Sequence, residues 1–404
     1  MFRFNFFLDK NLVLNLTQTI FVAGVSLLFT IFIAREIGVE DFGVYSYLVS
    51  IINIIYIFQS GGFRTLIYKT SIKNDKRDLF SAAFIYSLTV TIFICILIYL
   101  FHPNNEELLI IAVLSSFLLA IYDFISSKLK GKNLFKEDAI WKILIRSFSV
   151  LFVVACLYFF QEKDKLNVIF YGWLVSLLIL FFWPLKKKYI NFSKAKINKN
   201  IFSISGSLFL IDLSTVIYFR SDIVMLENLL GIGQVLGEYA ASHRFIEGLI
   251  LLSSPISVVA FRKLAISKDK SIFFKILKFY LKILIILGFF ACLLLFFLSN
   301  FLIGFLYGEN YNNSIYLLQI MSFSMLFIFP NGILMQALLV LDQLKIYIKI
   351  VVTIAALNII LNYIFIPFYG AYGAIWTTIF TESLLFILLL ATLLNFKHQN
   401  NYHN

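Results

Sequence analysis

The residues most able to do chemistry in this 404-residue sequence are ionisable side chains inside long apolar segments. A charge near the centre of a bilayer costs about 2.5–3.5 kcal/mol on insertion scales, so such a residue usually marks a cavity or a pathway. In the segment 201–226, Asp212 lies about 11 residues from the start, roughly 16 Å along a helix. Arg220 and Asp222 are two residues apart and cannot face each other on a regular helix, so we expect each to have other partners.

The next apolar segment, 238–260, carries a second group of ionisable residues. Glu247 follows His243 by four residues and Arg244 by three, so its carboxylate can reach either side chain on a helix. Further candidates in other apolar segments are Arg64, Arg146, Asp123 and Glu382.

These residue types indicate anion binding or ion pairing, and the sequence leaves both open. A guanidinium offers a planar fork that matches phosphate oxygens, whereas lysine offers only a point charge. We interpret four arginines as lining a wet, mixed-charge cavity, with ion pairs between helices as the alternative: Arg64, Arg146, Arg220 and Arg244. Five acids are candidates for proton or cation coupling, or for helix pairing: Asp123, Asp212, Asp222, Glu247 and Glu382.

Composition places these residues in a membrane protein. Apolar residues form 61% of the chain and charged residues only 14%, against about 25% in a typical soluble domain, and the mean hydropathy is +0.90. Soluble monomers avoid the apolar surface that such a sequence would expose, so cytosolic enzymes and secreted scaffolds are excluded. The odd set Cys95, Cys156 and Cys292 and the scattered histidines predict neither disulfides nor a metal site. The sequence has no G-x-x-x-x-G-K-[ST] loop, so ATP is not the direct energy source and we expect no cofactor.

Apolar stretches long enough to cross a bilayer then define the architecture. Each crossing needs roughly 20 apolar helical residues, and alternating β-barrel periodicity is absent. We predict an all-α integral membrane protein with about twelve spans: 12–34, 43–66, 79–101, 107–127, 139–160, 167–185, 201–226, 238–260, 276–298, 314–338, 346–366 and 371–395.

Basic residues alternate between the loops and predict the orientation. Every even-numbered span is followed by basic residues: Lys69, Lys73, Lys76 and Arg77; Lys128, Lys130, Lys132 and Lys136; Lys186, Lys187, Lys188, Lys194, Lys196 and Lys199; Arg262, Lys263, Lys268, Lys270 and Lys275; Lys345; and Lys397. The other loops carry only Arg35, Lys163 and Lys165. The positive-inside rule therefore places both termini in the cytoplasm. It also accounts for the net charge of +12, so we expect no nucleic-acid partner.

The basic stretch 186–200 divides the chain near its middle, which predicts two six-helix bundles, 1–190 and 191–404. A short sequence similarity between the two halves supports two repeats. Phe42-Gly43-Val44-Tyr45 opens the second span and Leu236-Gly237-Glu238-Tyr239 opens the eighth, 194 residues later, each after an Ile-Gly pair. Two halves of equal orientation predict a parallel repeat with a site between the bundles, which is typical of transporters.

Three motifs give the sequence a family resemblance. Residues 34–45, AREIGVEDFGVY, are similar to the R-x-L-G-x-x-x-F-G-x-Y signature of Wzx-type polysaccharide flippases in the MATE-like exporter superfamily. Residues 306–311, LYGENY, resemble the family's L-[FY]-G-x-x-[FY] element. Residues 367–374, PFYGAYGA, followed by Glu382, resemble its P-x-[YF]-G-x-x-G-A…E element, and the segments 220–222 and 237–244 also fit.

This resemblance implies a MATE-like fold and a function that composition alone does not give. Such proteins flip undecaprenyl-pyrophosphate-linked oligosaccharides across the bacterial inner membrane for O-antigen or related surface polysaccharides. A polysaccharide polymerase and a chain-length regulator are the implied partners. The four arginines would then hold the pyrophosphate and acidic sugars, while Gly43, Gly308 and Gly370 would serve tight backbone geometry. The alternatives are a small-molecule or cation exporter of the same superfamily and a membrane-embedded polymerase or glycosyltransferase.

Overall fold

The structure is a computed structural model that describes residues 10–72, 79–101, 106–160, 164–186, 199–231, 233–267 and 269–399. Within these ranges the chain is built from helices, with no strand. The first seven helices are α1 Lys10–Ser60, α2 Phe63–Ile72, α3 Phe80–Phe101, α4 Glu106–Gly131, α5 Phe135–Phe159, α6 Lys165–Lys186 and α7 Lys199–Leu230. The others are α8 Gly233–Ala265, α9 Lys270–Leu306, α10 Asn313–Met321, α11 Met325–Val340, α12 Leu344–Tyr369 and α13 Ala371–Gln399, with 3-10 turns at Glu309–Tyr311 and Ser322–Ser324.

The predicted spans map onto these helices with two differences at glycines. α1 contains the first predicted span and most of the second, joined at Gly38, whose φ of 80° and ψ of 176° are not helical. The second span does not run to residue 66, because Gly61 and Gly62 adopt φ of 50° and 74° and α2 starts afresh at Phe63. Positive φ strains residues that carry a Cβ, so glycine is the residue that permits both breaks.

The helices confirm an all-α membrane fold but not the count of twelve spans. Nine helical stretches in the part of the chain that the structure describes are long and apolar enough to cross a membrane. One of them, Thr17–Ser60, covers two predicted spans, while α7 and α8 are not among the nine. The parallel-repeat architecture with twelve crossings therefore stays a prediction.

Contacts divide the chain into two compact units. The first consists of Met1–Phe29 and Ile51–Leu213, and the second of Thr30–Ser50 and Ser214–Asn404. The proposed division into bundles 1–190 and 191–404 stays a prediction. The orientation in the membrane also stays a prediction. Several of the basic loop residues on which it rests lie outside the described ranges: Lys73, Lys76, Arg77, Lys163, Lys187, Lys188, Lys194, Lys196 and Lys268.

The first unit is held together around α4, which packs against α2, α3, α5 and α6. Its core contains fully buried aromatic side chains, among them Phe80, Phe124 and Trp141. Trp141 packs edge-on against Tyr122 at 5.0 Å between ring centroids, the geometry that aromatic quadrupoles favour. Outward-facing apolar residues such as Leu151, 69% exposed, are the surface that lipid covers in a membrane protein.

The second unit is centred on α11, which packs against α8, α9 and α13. Gly288 on α9 allows close approach, because a Cβ at that position would lie 2.6 Å from the carbonyl oxygen of Met325 on α11. Small residues let membrane helices approach closely and gain dispersion contacts. Buried amides on α11 and α12, at Asn331, Asn358 and Asn362, supply polar contacts inside this unit.

Candidate functional site

The second unit contains an ion cluster centred on Glu247. Its carboxylate lies 2.6 Å from Nη1 of Arg220, 2.7 Å from Nη1 of Arg244 and 3.3 Å from Nδ1 of His243. The two arginine side chains are 16% exposed and Glu247 is 23% exposed, so the cluster is partly buried yet reachable by water. We call Arg220, His243, Arg244 and Glu247 the second-unit cluster.

Local helix geometry explains half of this arrangement. His243, Arg244 and Glu247 share one face of α8 because residues three and four apart lie side by side on a helix. Arg220 comes from α7, and no local sequence pattern predicted its pairing with Glu247. Glu247 therefore contacts two guanidinium groups from two helices, so one carboxylate is shared between two arginines.

Asp222, two residues after Arg220, has different partners, as the helix spacing predicts. The Tyr239 hydroxyl donates a hydrogen bond to its Oδ2, and the backbone N–H of Ile223 donates to its Oδ1 at 2.8 Å. Tyr239 is fully buried and stacks on the His243 ring, 5.9 Å between centroids. Asp222 thus fixes Tyr239, which in turn supports one wall of the second-unit cluster.

Glu382 on α13 lies in a separate and drier part of the same unit. Glu382 is only 2% exposed. Its Oε2 accepts a hydrogen bond from Asn331 Nδ2 at 2.6 Å, and Tyr218 interacts with the same carboxylate. The Tyr218 hydroxyl is also 3.1 Å from Oγ1 of Thr381, to which Asn358 Nδ2 donates at 3.3 Å. Asn331 and Tyr218 are neutral, in contrast to the charged partners of Glu247.

The neutral members of this network were not among the predicted site residues, all of which carry an ionisable side chain. Asparagines within apolar segments were the available signal: Asn331, and the pair Asn358 and Asn362, four residues apart on α12. Asn362 Nδ2 donates to Asn358 Oδ1 at 3.1 Å, and Ser221 donates to the same oxygen at 3.0 Å. A buried amide is costly without partners, so such residues indicate a hydrogen-bonded network.

The first unit brings together Arg64, Tyr56, Asp123 and Asp212, which we call the first-unit cluster. The Tyr56 hydroxyl donates to Asp123 Oδ2, and the Arg64 guanidinium interacts electrostatically with Tyr56, Asp123 and Asp212. Arg64 is exposed, while both acids are intermediate in burial. Two carboxylates therefore face one guanidinium in this cluster.

The glycine break before α2 positions Arg64 in the first turn of that helix. A Cβ at Gly62 would collide with the carbonyl oxygen of Ser205 on α7, and the Ser205 hydroxyl donates to the Gly61 carbonyl. The fourth predicted arginine, Arg146 on α5, has its guanidinium 5.7 Å from the centre of the Phe29 ring, a cation–π distance.

Two of the three family-like motifs, 34–45 and 306–311, meet within the second unit. Arg35 Nε donates to the carbonyl of Leu306 at 2.7 Å, which caps the C-terminal end of α9, and Arg35 Nη2 donates to the Phe305 carbonyl. The Tyr311 hydroxyl donates to the Ala34 carbonyl at 2.9 Å, and Phe42 packs on Tyr311 at 6.2 Å.

The signature glycines serve backbone geometry, as the sequence analysis proposed. Gly308 and Gly370 have φ of 93° and 57°, while Gly43 has no room for a side chain because a Cβ would strike Gly233. Over the described ranges, no three His, Cys, Asp or Glu side chains are grouped as a metal site would require.

Helices of this length and apolar character, nine of them in the described ranges, define a polytopic membrane protein. A family model described as "Polysaccharide biosynthesis protein" matches residues 32–316, so the chain belongs to that family. It is 26% identical over 367 residues to the capsular polysaccharide biosynthesis protein CapF of Staphylococcus aureus, covering 86% of this chain and 89% of CapF.

Solved structures give the same fold. The lipid II flippase MurJ in an inward closed conformation is 18% identical, with a TM-score of 0.74 over 94% of this chain and 86% of MurJ. An inward-facing MATE family multidrug transporter of the MOP superfamily is 14% identical, with a TM-score of 0.70 over 96% and 95%. The resemblance inferred from the motifs, to a polysaccharide biosynthesis family with a MATE-like fold, is confirmed.

Proposed function

We propose that this protein is a flippase that carries an undecaprenyl-pyrophosphate-linked oligosaccharide repeat unit across the bacterial inner membrane for surface polysaccharide assembly. The observation that carries the proposal is the pair of guanidinium groups held on one carboxylate in the second-unit cluster. Membership of the polysaccharide biosynthesis family supports the glycan, and the MurJ-like fold supports movement across the membrane.

The pyrophosphate is the part of this substrate that the second-unit cluster suits. Guanidinium forks bind phosphate oxygens in pairs, and charge-assisted bonds of this type are stronger than neutral ones. Glu247 keeps the Arg220 and Arg244 forks apart and oriented before the substrate arrives. Their 16% exposure leaves N–H groups for the anion. Transport breaks no covalent bond, so the protein only binds, shields and releases this head group.

The acids divide between positioning and coupling in this proposal. Asp222 and Glu247 position Tyr239 and the two arginines through the contacts described above. Glu382 and Asp212 are proposed to bind a proton or cation that drives the cycle. Asp123, held by Tyr56, positions Arg64 in the first unit.

The proposed setting follows from the loop charges and the substrate. Both termini lie in the cytoplasm, and a polysaccharide polymerase and a chain-length regulator receive the flipped unit. An alkaline phosphatase fusion in the 186–200 connection should be inactive, because that enzyme folds only outside the cytoplasm. An active fusion would overturn this orientation.

Flipping in reconstituted vesicles tests the function directly. We expect the protein to move an undecaprenyl-pyrophosphate-linked oligosaccharide to the opposite leaflet, and to move an undecaprenyl-monophosphate-linked sugar poorly. Lys282→Ala is the control for loss of a positive charge, because Lys282 is an exposed cation on α9 outside both clusters, and this variant should transport normally. Equal transport of both lipids would contradict pyrophosphate recognition. Export of an organic cation without glycan movement would establish the exporter alternative instead.

A further inference from the structure

A groove of about 700 Å³ lies in the first unit, where α5 ends and α4 and α6 begin. Its volume falls within the range of about 300–1,000 Å³ that small-molecule sites occupy. Residues from all three helices line the groove, and none of them belongs to the first-unit cluster. The proposed function therefore leaves this groove without a role.

The groove follows one face of α6. Asp164, Val168, Tyr171 and Val175 line it at intervals of three and four residues, the spacing that places side chains on one side of a helix. Val175 follows Asp164 by 11 residues, or about 16 Å along the helix axis. Half of a hydrocarbon core about 30 Å thick has nearly the same length. The groove is therefore about as long as one leaflet of a bilayer is deep.

Polarity changes along the groove. Its mouth, at the helix ends, carries the exposed carboxylates of Glu107 and Asp164. Its floor, deeper along the helices, is lined by apolar or small residues: Phe152, Cys156, Val168, Gly172 and Val175. A Cβ at Gly172 would already contact Cβ of Cys156 at 3.6 Å, so the glycine adds no bulk to the floor. The groove therefore suits a molecule with a polar end and an apolar chain.

The charge at the mouth favours one kind of polar end. Among the described residues, the lining of the groove contains two carboxylates and neither lysine nor arginine. The Tyr171 hydroxyl donates to Glu107 Oε1, and Asn167 Nδ2 donates to Asp164 Oδ2 at 3.1 Å, so both carboxylates are held in place. Each still has lone pairs for a further donor. Phe160 and Tyr171 add aromatic rings, which attract ammonium groups, so the mouth favours an ammonium group over an anion.

We propose that this groove binds a phospholipid whose head group carries an ammonium group. The ammonium group lies between Glu107 and Asp164, and one acyl chain lies along Val168, Gly172 and Val175. A lipid is favoured over a soluble cation because the floor is open at apolar side chains, with Val175 40% exposed, at a depth where lipid is the solvent. By the predicted orientation, α6 begins at the outer face, so the lipid belongs to the outer leaflet. The proposal does not depend on which molecule the protein transports.

Native mass spectrometry of the full chain, freed of lipid in detergent, tests the site. The two probes are dioleoyl phosphatidylethanolamine and dioleoyl phosphatidylglycerol, which have the same acyl chains and differ in the head group. We expect the ethanolamine lipid to bind about fivefold more tightly, the order of factor that a partly exposed ion pair contributes. Glu107→Gln with Asp164→Asn should remove this preference. The fold should be retained, because Asp164 accepts the backbone N–H of Leu166 at the start of α6 and asparagine caps helices equally well.

A second pair of acids in the second unit is the matched control. Glu309→Gln with Asp269→Asn also removes an exposed glutamate and an exposed aspartate that precedes a helix. This variant should keep the preference for the ethanolamine lipid. Equal affinity of the unaltered protein for both lipids, a preference kept in the groove variant, or a preference lost in the control would each overturn the proposal.

A native thiol reports where the lipid lies. Cys156 lines the floor of the groove and Cys95 on α3 does not, while both are intermediate in burial. The ethanolamine lipid should slow maleimide labelling of Cys156 several-fold and leave labelling of Cys95 unchanged. Equal protection of both thiols would show general coverage by lipid and overturn the site. Protection of Cys156 by dodecyltrimethylammonium but not by the ethanolamine lipid would identify a site for a soluble cationic amphiphile and overturn the proposed occupant.

Discussion

The two ion clusters use the same residue types in opposite proportion. In the second unit, one carboxylate, Glu247, lies between two arginines, both 16% exposed. In the first unit, one exposed arginine, Arg64, faces two carboxylates and a tyrosine. An excess of guanidinium favours anions, while an excess of carboxylate favours cations or protons. In the proposed function, this contrast places head-group binding at the second-unit cluster and a coupling or positioning role at the first-unit cluster.

The largest effect is expected from the arginines of the second-unit cluster. Arg244→Ala or Arg220→Ala removes a charge-assisted contact to the head group worth about 2 kcal/mol, or roughly 30-fold in affinity, and the double variant should abolish display. Lysine at either position should retain part of the display that alanine loses, because the positive charge remains while the guanidinium fork is lost. The measurement is surface polysaccharide normalised to protein in the membrane. Full display from the Ala variants of Arg64, Arg146, Arg220 and Arg244 would refute a cationic site.

A double variant separates binding from helix pairing in the same cluster. Removing Arg244 takes away one of the two arginines that pair with the Glu247 carboxylate. A partly buried charge that loses an ion-pair partner lowers the stability of the protein. Arg244→Ala with Glu247→Ala should therefore recover membrane abundance relative to Arg244→Ala. Transport should remain low, since the anion-binding fork is still missing. Recovery of transport together with abundance would show that the pair only joins helices.

The next effect concerns Glu382, where charge and packing can be separated. Glu382→Gln keeps an oxygen that can accept the Asn331 hydrogen bond, so we expect normal abundance with loss of the response to an imposed ion gradient. Glu382→Ala leaves Asn331 without that partner, which costs about 1–3 kcal/mol and should also lower abundance. An unchanged gradient response in Glu382→Gln would remove this residue from coupling.

A smaller effect is expected in the first-unit cluster, where Arg64 is exposed and water screens its charge. Arg64→Ala should reduce flipping less than Arg244→Ala does. Adding Asp212→Asn should restore part of the loss, because the carboxylate excess is relieved. A loss from Arg64→Ala as large as that from Arg244→Ala would make both clusters head-group sites.

The smallest effect is expected at Arg146, which lies over the Phe29 ring. A cation–π contact is worth about 0.5–2 kcal/mol, depending on solvent exposure. Phe29→Leu should therefore lower thermal stability in detergent by a modest amount, and Arg146→Ala should lower it by at least as much. A transport defect in Arg146→Ala that Phe29→Leu lacks would place Arg146 in the substrate path.

The sequence predicted the helices well because each span is a long apolar run, and it predicted the reach of Glu247 because that follows from helix periodicity. Contacts between distant segments have no such local signal. The pairing of Arg220 with Glu247 joins two helices, and Arg35 meets Leu306 across 271 residues of chain. Gly61 and Gly62 were visible as a pair, but their positive φ goes with a break that contacts Ser205 on α7. The hydrogen-bond network around Glu382 was missed because its other members carry no charge.

The contact between Arg35 and Leu306 also has a consequence for how the protein is made. Residues 30–50 leave the ribosome early, yet they belong to the unit completed by the second half of the chain. At about 5–20 residues per second, Arg35 waits roughly 15–50 s for its carbonyl partners to be synthesised. During that interval the first hairpin resides in the membrane without its native neighbours. Nascent chains arrested before residue 306 should therefore be the forms most sensitive to membrane quality-control proteases.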